Sequence, residues 1–186
     1  MEICFFTTPL TDKICHKIKL DYFPEFLTRT RHPDVLILNI PGYRQTKSYT
    51  CGYVSGLMVL RYFRTNSDVK TFYTDCRAHD DWGISTRKVA DALRKHEIGV
   101  SLKRHLTFNQ IASEIEAGRP ILTSIKRKGQ IQHWVVIYGV NKRKKEVYIA
   151  GDKFWFSLFK TNHQWKSFRP RLPQDVDFLV CWNRAP

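Results

Sequence analysis

The sequence lacks any long hydrophobic run. Nowhere do its 186 residues approach the ~18 apolar positions of a membrane-spanning helix. The opening stretch, MEICFFTTPLTDKICHKIKL, has neither the basic leader nor the continuous apolar segment of a cleaved secretion signal. No membrane span and a cytoplasmic location are therefore expected. Internal repeats and low-complexity tracts are also missing, which excludes solenoid and linker-dominated architectures. Cysteines are few and odd in number: Cys4, Cys15, Cys51, Cys76 and Cys181 are irregularly spaced, a pattern that argues against a disulfide framework and suits thiols in a reducing compartment. Acidic residues are in short supply, 17 Asp and Glu against 31 Lys and Arg, for a formal charge of +14. Such an excess favours contact with something anionic: an acidic protein, a nucleic acid or a membrane surface. The cations gather as KRKK at 142–145, KRK at 126–128 and KRH at 103–105, mostly at expected turns, where solvated loop charge is the plainer reading.

What is present suits one domain. An apolar content of 42% over this length is enough for a single core, since domains commonly run to ~100–200 residues. Residues 1–34 carry weak periodicity and read as an N-terminal arm or subdomain, leaving 35–186 as the domain proper. VLILNIP (35–41) reads as a buried strand stopped by Pro41-Gly42. From Cys51 to Phe63, Val54, Leu57, Met58 and Tyr62 recur at helical spacing. A second helix has Ser85 as N-cap, Val89, Ala92 and Leu93 facing inward, and Gly99 as its stop. A third has Thr107 as N-cap, Phe108, Ile111 and Ile115 inside, and ends at Gly118-Arg119-Pro120. The period then changes: PILTSI, HWVVIYGV, EVYIAG and VDFLVCW are β-branched or aromatic runs between short polar turns. Helices first and a mostly antiparallel sheet second is the α+β order.

That order makes one thiol informative. Cys51 opens a helix, where unpaired N–H groups and the positive end of the dipole stabilise a thiolate. Gly52 leaves room for a substrate backbone, and Gly56 lets the helix pack closely. A nucleophilic cysteine needs a base, and the base needs an orienting acceptor. His133 begins HWVVIYGV, and EVYIAG delivers Asp152 at its end; adjacent antiparallel strands place those two ends side by side. Attack on an amide carbonyl creates an oxyanion, which the Cys51 backbone N–H and the Gln45 side-chain amide are suited to stabilise.

Together, Gln45-x5-Cys51-Gly52, GRPILTSI…QHWVVIYGV and VYIAGD, spanning about Val35 to Asp152, resemble the papain-like cysteine peptidases that process bacteriocin precursors after a double-glycine leader. DDWGISTRKVADALRKHEIGV also resembles that family's Gly-Thr/Ser helix between its two halves. The resemblance implies a papain-like fold with Cys51 as nucleophile, His133 as general base, Asp152 as its orienter and Gln45 as oxyanion donor. Lys153 follows Asp152 where the family often has proline.

Other readings of single features are plainer. Cys76 and His79 in DCRAHDD have metal-like spacing, but a zinc site needs about four ligands and no second pair sits nearby, so no metal and no cofactor are expected. Trp134, Trp155, Trp165 and the phenylalanines of KFWFSLFK could stack bases, yet their alternation suits a core or a substrate cleft better. The sequence therefore favours a cysteine-nucleophile hydrolase of peptide or isopeptide bonds, acting on a peptide or protein substrate for which the charge favours acidic character. Acyl transfer or amide hydrolysis is a variation on that chemistry, and a non-catalytic basic module for nucleic acid or an acidic partner is the contrasting class.

Overall fold

The computed structural model describes residues 21–22, 34–44, 48–77, 83–127, 130–151 and 161–184. Most of the N-terminal arm, Cys4, Cys15, Gln45, His79, Asp152 and Trp155 lie outside the described residues.

Helix α1 runs Cys51–Phe63, the span that the apolar spacing indicates. It is entered through a 3-10 turn at Ser48–Thr50, and its first ten residues are all buried. Helix α2 (Val69–Cys76) starts at Asp68, whose side chain accepts from the Lys70 amide, and buries Val69, Phe72 and Cys76. Helix α3 (Thr86–Lys95) is capped by Ser85, as expected, and buries Val89, Ala92 and Leu93. Helix α4 (Phe108–Glu116) begins with a capping box, Thr107 accepting from the Gln110 amide while Gln110 reaches back to Thr107.

The main sheet has seven strands, all described pairs antiparallel, in the order β4 (Ile98–Arg104), β9 (Asp177–Asn183), β5 (Ile121–Arg127), β6 (Gln130–Asn141), β7 (Glu146–Ala150), β8 (Thr161–Gln164). The seventh, β2 (Val35–Ile37), pairs with the far half of β6. A separate ribbon joins β1 (Asp21–Tyr22) to β3 (Tyr43–Arg44). The α+β class is as the sequence indicates, but the order along the chain is less segregated, because β4 separates α3 from α4, and the strand expected at 35–41 is shorter, Val35–Ile37, and half-buried. Gly99 is not a helix stop: it lies inside β4, where a Cβ would stand 2.2 Å from the Trp182 ring. A ring packed that close demands glycine.

Strand alternation divides the core into two layers. Trp134, Val136 and Tyr138 of β6 join α1, α2 and α3 on one face, together with Leu122, Leu179 and Cys181. Val135 and Ile137 join α4 on the other, with Ile121, Phe178 and the short helix α5 (Trp165–Phe168). Trp134 and Trp165 are thus core residues rather than base-stacking platforms.

Candidate active site

Cys51 is the first residue of α1 and is 7% exposed. No side-chain bond from Thr50 caps the helix. The first-turn amides of α1 therefore give the sulfur the positive end of the helix dipole. The other two described thiols differ: burial pushes the Cys76 thiol up to about 12, and burial also raises Cys181 strongly. Both are held as unreactive thiols at neutral pH.

The first turn of α1 is clamped by the loop that leads into α3. A Cβ on Gly52 would lie 2.0 Å from Ile84 Cγ2 and 2.9 Å from Trp134 Cδ1, and the Trp134 indole N–H donates to the Ile84 carbonyl at 3.1 Å. Gly52 thus faces packed side chains and not a substrate backbone, which corrects the sequence expectation. Gly56 meets its expectation, with a Cβ position 3.0 Å from the Phe72 ring of α2. Gly83, with φ +68°, lies in the same loop, and a Cβ there would stand 3.4 Å from the Tyr49 carbonyl in the 3-10 turn before Cys51. Replacing a helical glycine by alanine ordinarily stabilises by about 1 kcal/mol. At Gly52 the overlap with Ile84 and Trp134 outweighs that gain, since overpacking costs ~1–3 kcal/mol. Gly52→Ala is expected to lower the melting temperature and alter tryptophan emission; an unchanged or raised melting temperature would contradict this packing.

His133 lies three residues inside β6, buried at 1% exposure. Its Nε2 donates to the carbonyl of Gly151, the residue after β7 and immediately before Asp152. Gly151 has φ +97°, and its Cβ position is 3.2 Å from the Trp134 carbonyl and 3.7 Å from Ser55 Oγ on α1. The first two turns of α1, the His133 ring and the end of β7 therefore meet at one corner of the sheet. Val136 opposite Ala150 sets that register. Ser55, Ile84 and Trp134 build this corner and are not evident from sequence as site residues; the tryptophan beside the histidine is their one visible signal. Gln45 and Asp152 lie outside the described residues, so their side chains add nothing to this geometry. Among the described residues no group of three or more His, Cys, Asp or Glu side chains could hold a metal.

The KRKK turn falls at the opposite end of the β6–β7 hairpin from His133. Lys142 pairs with Glu116, and Arg143 Nε is 3.6 Å from Asp34 Oδ2. No helix of the described residues is long and apolar enough to cross a membrane.

Residues 37–152 match the model of the "Peptidase_C39 like family". No curated protein sequence matches the chain. Among solved structures, a double glycine motif protease from an AMS/PCAT transporter, in complex with the leader peptide, superposes with a TM-score of 0.57 at 19% identity, covering 81% of this chain and 95% of that one. The peptidase domain of Streptococcus ComA, a bi-functional ABC transporter involved in a quorum sensing pathway, gives 0.59 at 13% identity, covering 80% and 98%. At these identities the likeness is one of fold.

Proposed function

The chain belongs to the Peptidase_C39-like family and is a cysteine peptidase of papain-like fold, and from this premise we propose that Cys51 attacks the scissile carbonyl of a peptide substrate with His133 as its base. The observation that carries this reading is the shared corner: a Cβ on Gly151 would lie 3.7 Å from Ser55 Oγ, one turn along the helix that Cys51 opens, and the Gly151 carbonyl takes the His133 ring N–H. A neutral imidazole whose Nε2–H is engaged there keeps its lone pair on Nδ1, and that nitrogen takes the thiol proton. The thiolate sulfur then forms a bond to the carbonyl carbon, and the carbonyl electron pair moves to oxygen. The Cys51 backbone N–H and the Gln45 amide stabilise that oxyanion. Collapse expels the amine, which takes its proton from the imidazolium, and water hydrolyses the thioester. Asp152, one residue beyond Gly151, stabilises the imidazolium by its negative charge and shares the orienting of the Nε2–H with the Gly151 carbonyl. A peptide substrate is further supported by the structural neighbour that is in complex with a leader peptide.

Exposure of the protein to a mixed synthetic peptide library, with new termini read by mass spectrometry, tests the reading. Cleavage at defined bonds, abolished by prior alkylation with iodoacetamide, is the expected outcome. Cleavage that survives complete alkylation of Cys51 would remove the thiol from the mechanism.

A further inference from the structure

Beyond the site corner, the cations of this chain are unevenly spent. Lys103, Arg104, Arg119, Lys142 and Arg143 each have an acidic partner. Lys144, Lys145, Lys166 and Arg169 are exposed and have none among the described residues. These four stand together. The Trp165 amide donates to the Lys145 carbonyl at 2.7 Å, which seats the start of α5 on the hairpin turn. Lys166 and Arg169 follow at a spacing of three, on one side of the last helical turns. The neighbouring carboxylate, Glu146, is buried and takes the amide N–H groups of Asn162 and Gln164, so its oxygens are turned to that pair.

This basic corner is at the far end of the sheet from the thiol. His133 and Asn141 are eight positions apart along β6, roughly 26 Å at the usual strand rise. The outer strand β8 connects the two ends: Thr161 sits opposite Ile149, two residues from Gly151, and Gln164 sits opposite Glu146 at the basic corner. Among the described residues β8 pairs only with β7, and the edge of a strand is a surface on which an extended peptide can lie. The sole large hydrophobic side chain exposed among the described residues is Leu102, on β4 at the opposite edge of the sheet. Among the described residues the corner therefore has no apolar anchor for a lipid surface and no exposed aromatic ring for stacking bases.

The geometry points to an exosite: Lys144, Lys145, Lys166 and Arg169 hold an acidic segment of the peptide substrate, about eight extended residues from the bond that Cys51 attacks. The substrate assignment rests on the peptidase reading; the binding surface does not. Exposed charges act over ~8–10 Å at ordinary salt, so this capture weakens as salt rises while chemistry at the thiol does not.

The test uses the full chain and the variant Lys144→Glu/Lys166→Glu/Arg169→Glu, with Lys144→Gln/Lys166→Gln/Arg169→Gln as the milder form should reversal disturb folding. In the peptide library, products of the parent should be enriched in Asp and Glu about eight residues from the cut, and the variant should lose that enrichment while Cys51 alkylates at the parental rate. A fluorescein-labelled oligoglutamate should bind the parent in low salt and bind the variant roughly tenfold or more weakly, from three exposed pairs lost. Cleavage without distal acidic enrichment, or equal oligoglutamate affinity in parent and variant, overturns the exosite. So does duplex DNA, or a phosphatidylserine vesicle, that binds at lower concentration than the oligoglutamate and loses affinity in the same variant. Absence of all cleavage would count against the peptidase reading, and the oligoglutamate titration would still decide the basic corner.

Discussion

Cys51→Ala will abolish peptide cleavage, a loss on the order of 10⁶-fold, because removing a covalent nucleophile leaves only substrate binding and oxyanion stabilisation. His133→Ala will do nearly as much, since thioester formation requires the proton acceptor as well as the sulfur. Removal of one residue of such a unit should cost almost as much as removal of both, so the double variant will be scarcely slower than either single one. The fold should persist. Cys51→Ala deletes one atom at the edge of the core, and His133→Gln keeps a donor for the Gly151 carbonyl while removing the base. Circular dichroism together with library cleavage on all four variants checks the expectation. Retained turnover in Cys51→Ala sinks the catalytic assignment.

Asp152→Asn will be gentler but still severe, by up to ~10⁴-fold, as an amide in place of the orienting carboxylate favours the wrong tautomer and leaves an imidazolium unsupported. Loss of that negative charge also makes the imidazolium easier to deprotonate, so the acid limb of kcat/KM should move to lower pH. Two features combined identify Asp152 as an orienter: residual activity above that of Cys51→Ala, and a displaced profile. Parental activity in Asp152→Asn would mean that the Gly151 carbonyl, or another group, suffices to hold His133.

Much of this was legible in the sequence where local chemistry decides structure. The bounds of α1 follow from the spacing of its apolar residues, and the caps at Ser85 and Thr107 from side chains that bond to their own helix. Tertiary contacts were less visible. Gly99 resembles a helix stop until the Trp182 ring is laid over it from β9, and β4 is hidden with it. Helix α2 is harder to read although Val69, Phe72 and Cys76 have helical spacing after an Asp68 cap, because three apolar positions in eight otherwise mostly polar residues give only a short buried stripe. Strand β8, TNHQ, carries no apolar alternation; its place comes from amides that reach Glu146. At the site, the residue order Cys51, His133, Asp152 and the pairing of β6 with β7 could be read directly. The clamp of Ile84 and Trp134 on Gly52 could not, since nothing local marks a contact 50 residues apart. The KRKK turn showed its charge in the sequence, but only the hairpin's direction reveals that it lies away from His133.

The most direct test of the account is a brief exposure of the native protein to a small neutral alkylating agent at neutral pH, with the modified thiols located by mass spectrometry. Cys51 should be labelled far faster than Cys76 and Cys181, whose burial holds them as thiols, and His133→Ala should slow that labelling. If Cys51 reacts no faster than those two, or if its rate is indifferent to His133, the helix-terminal thiol is a core residue and not a nucleophile.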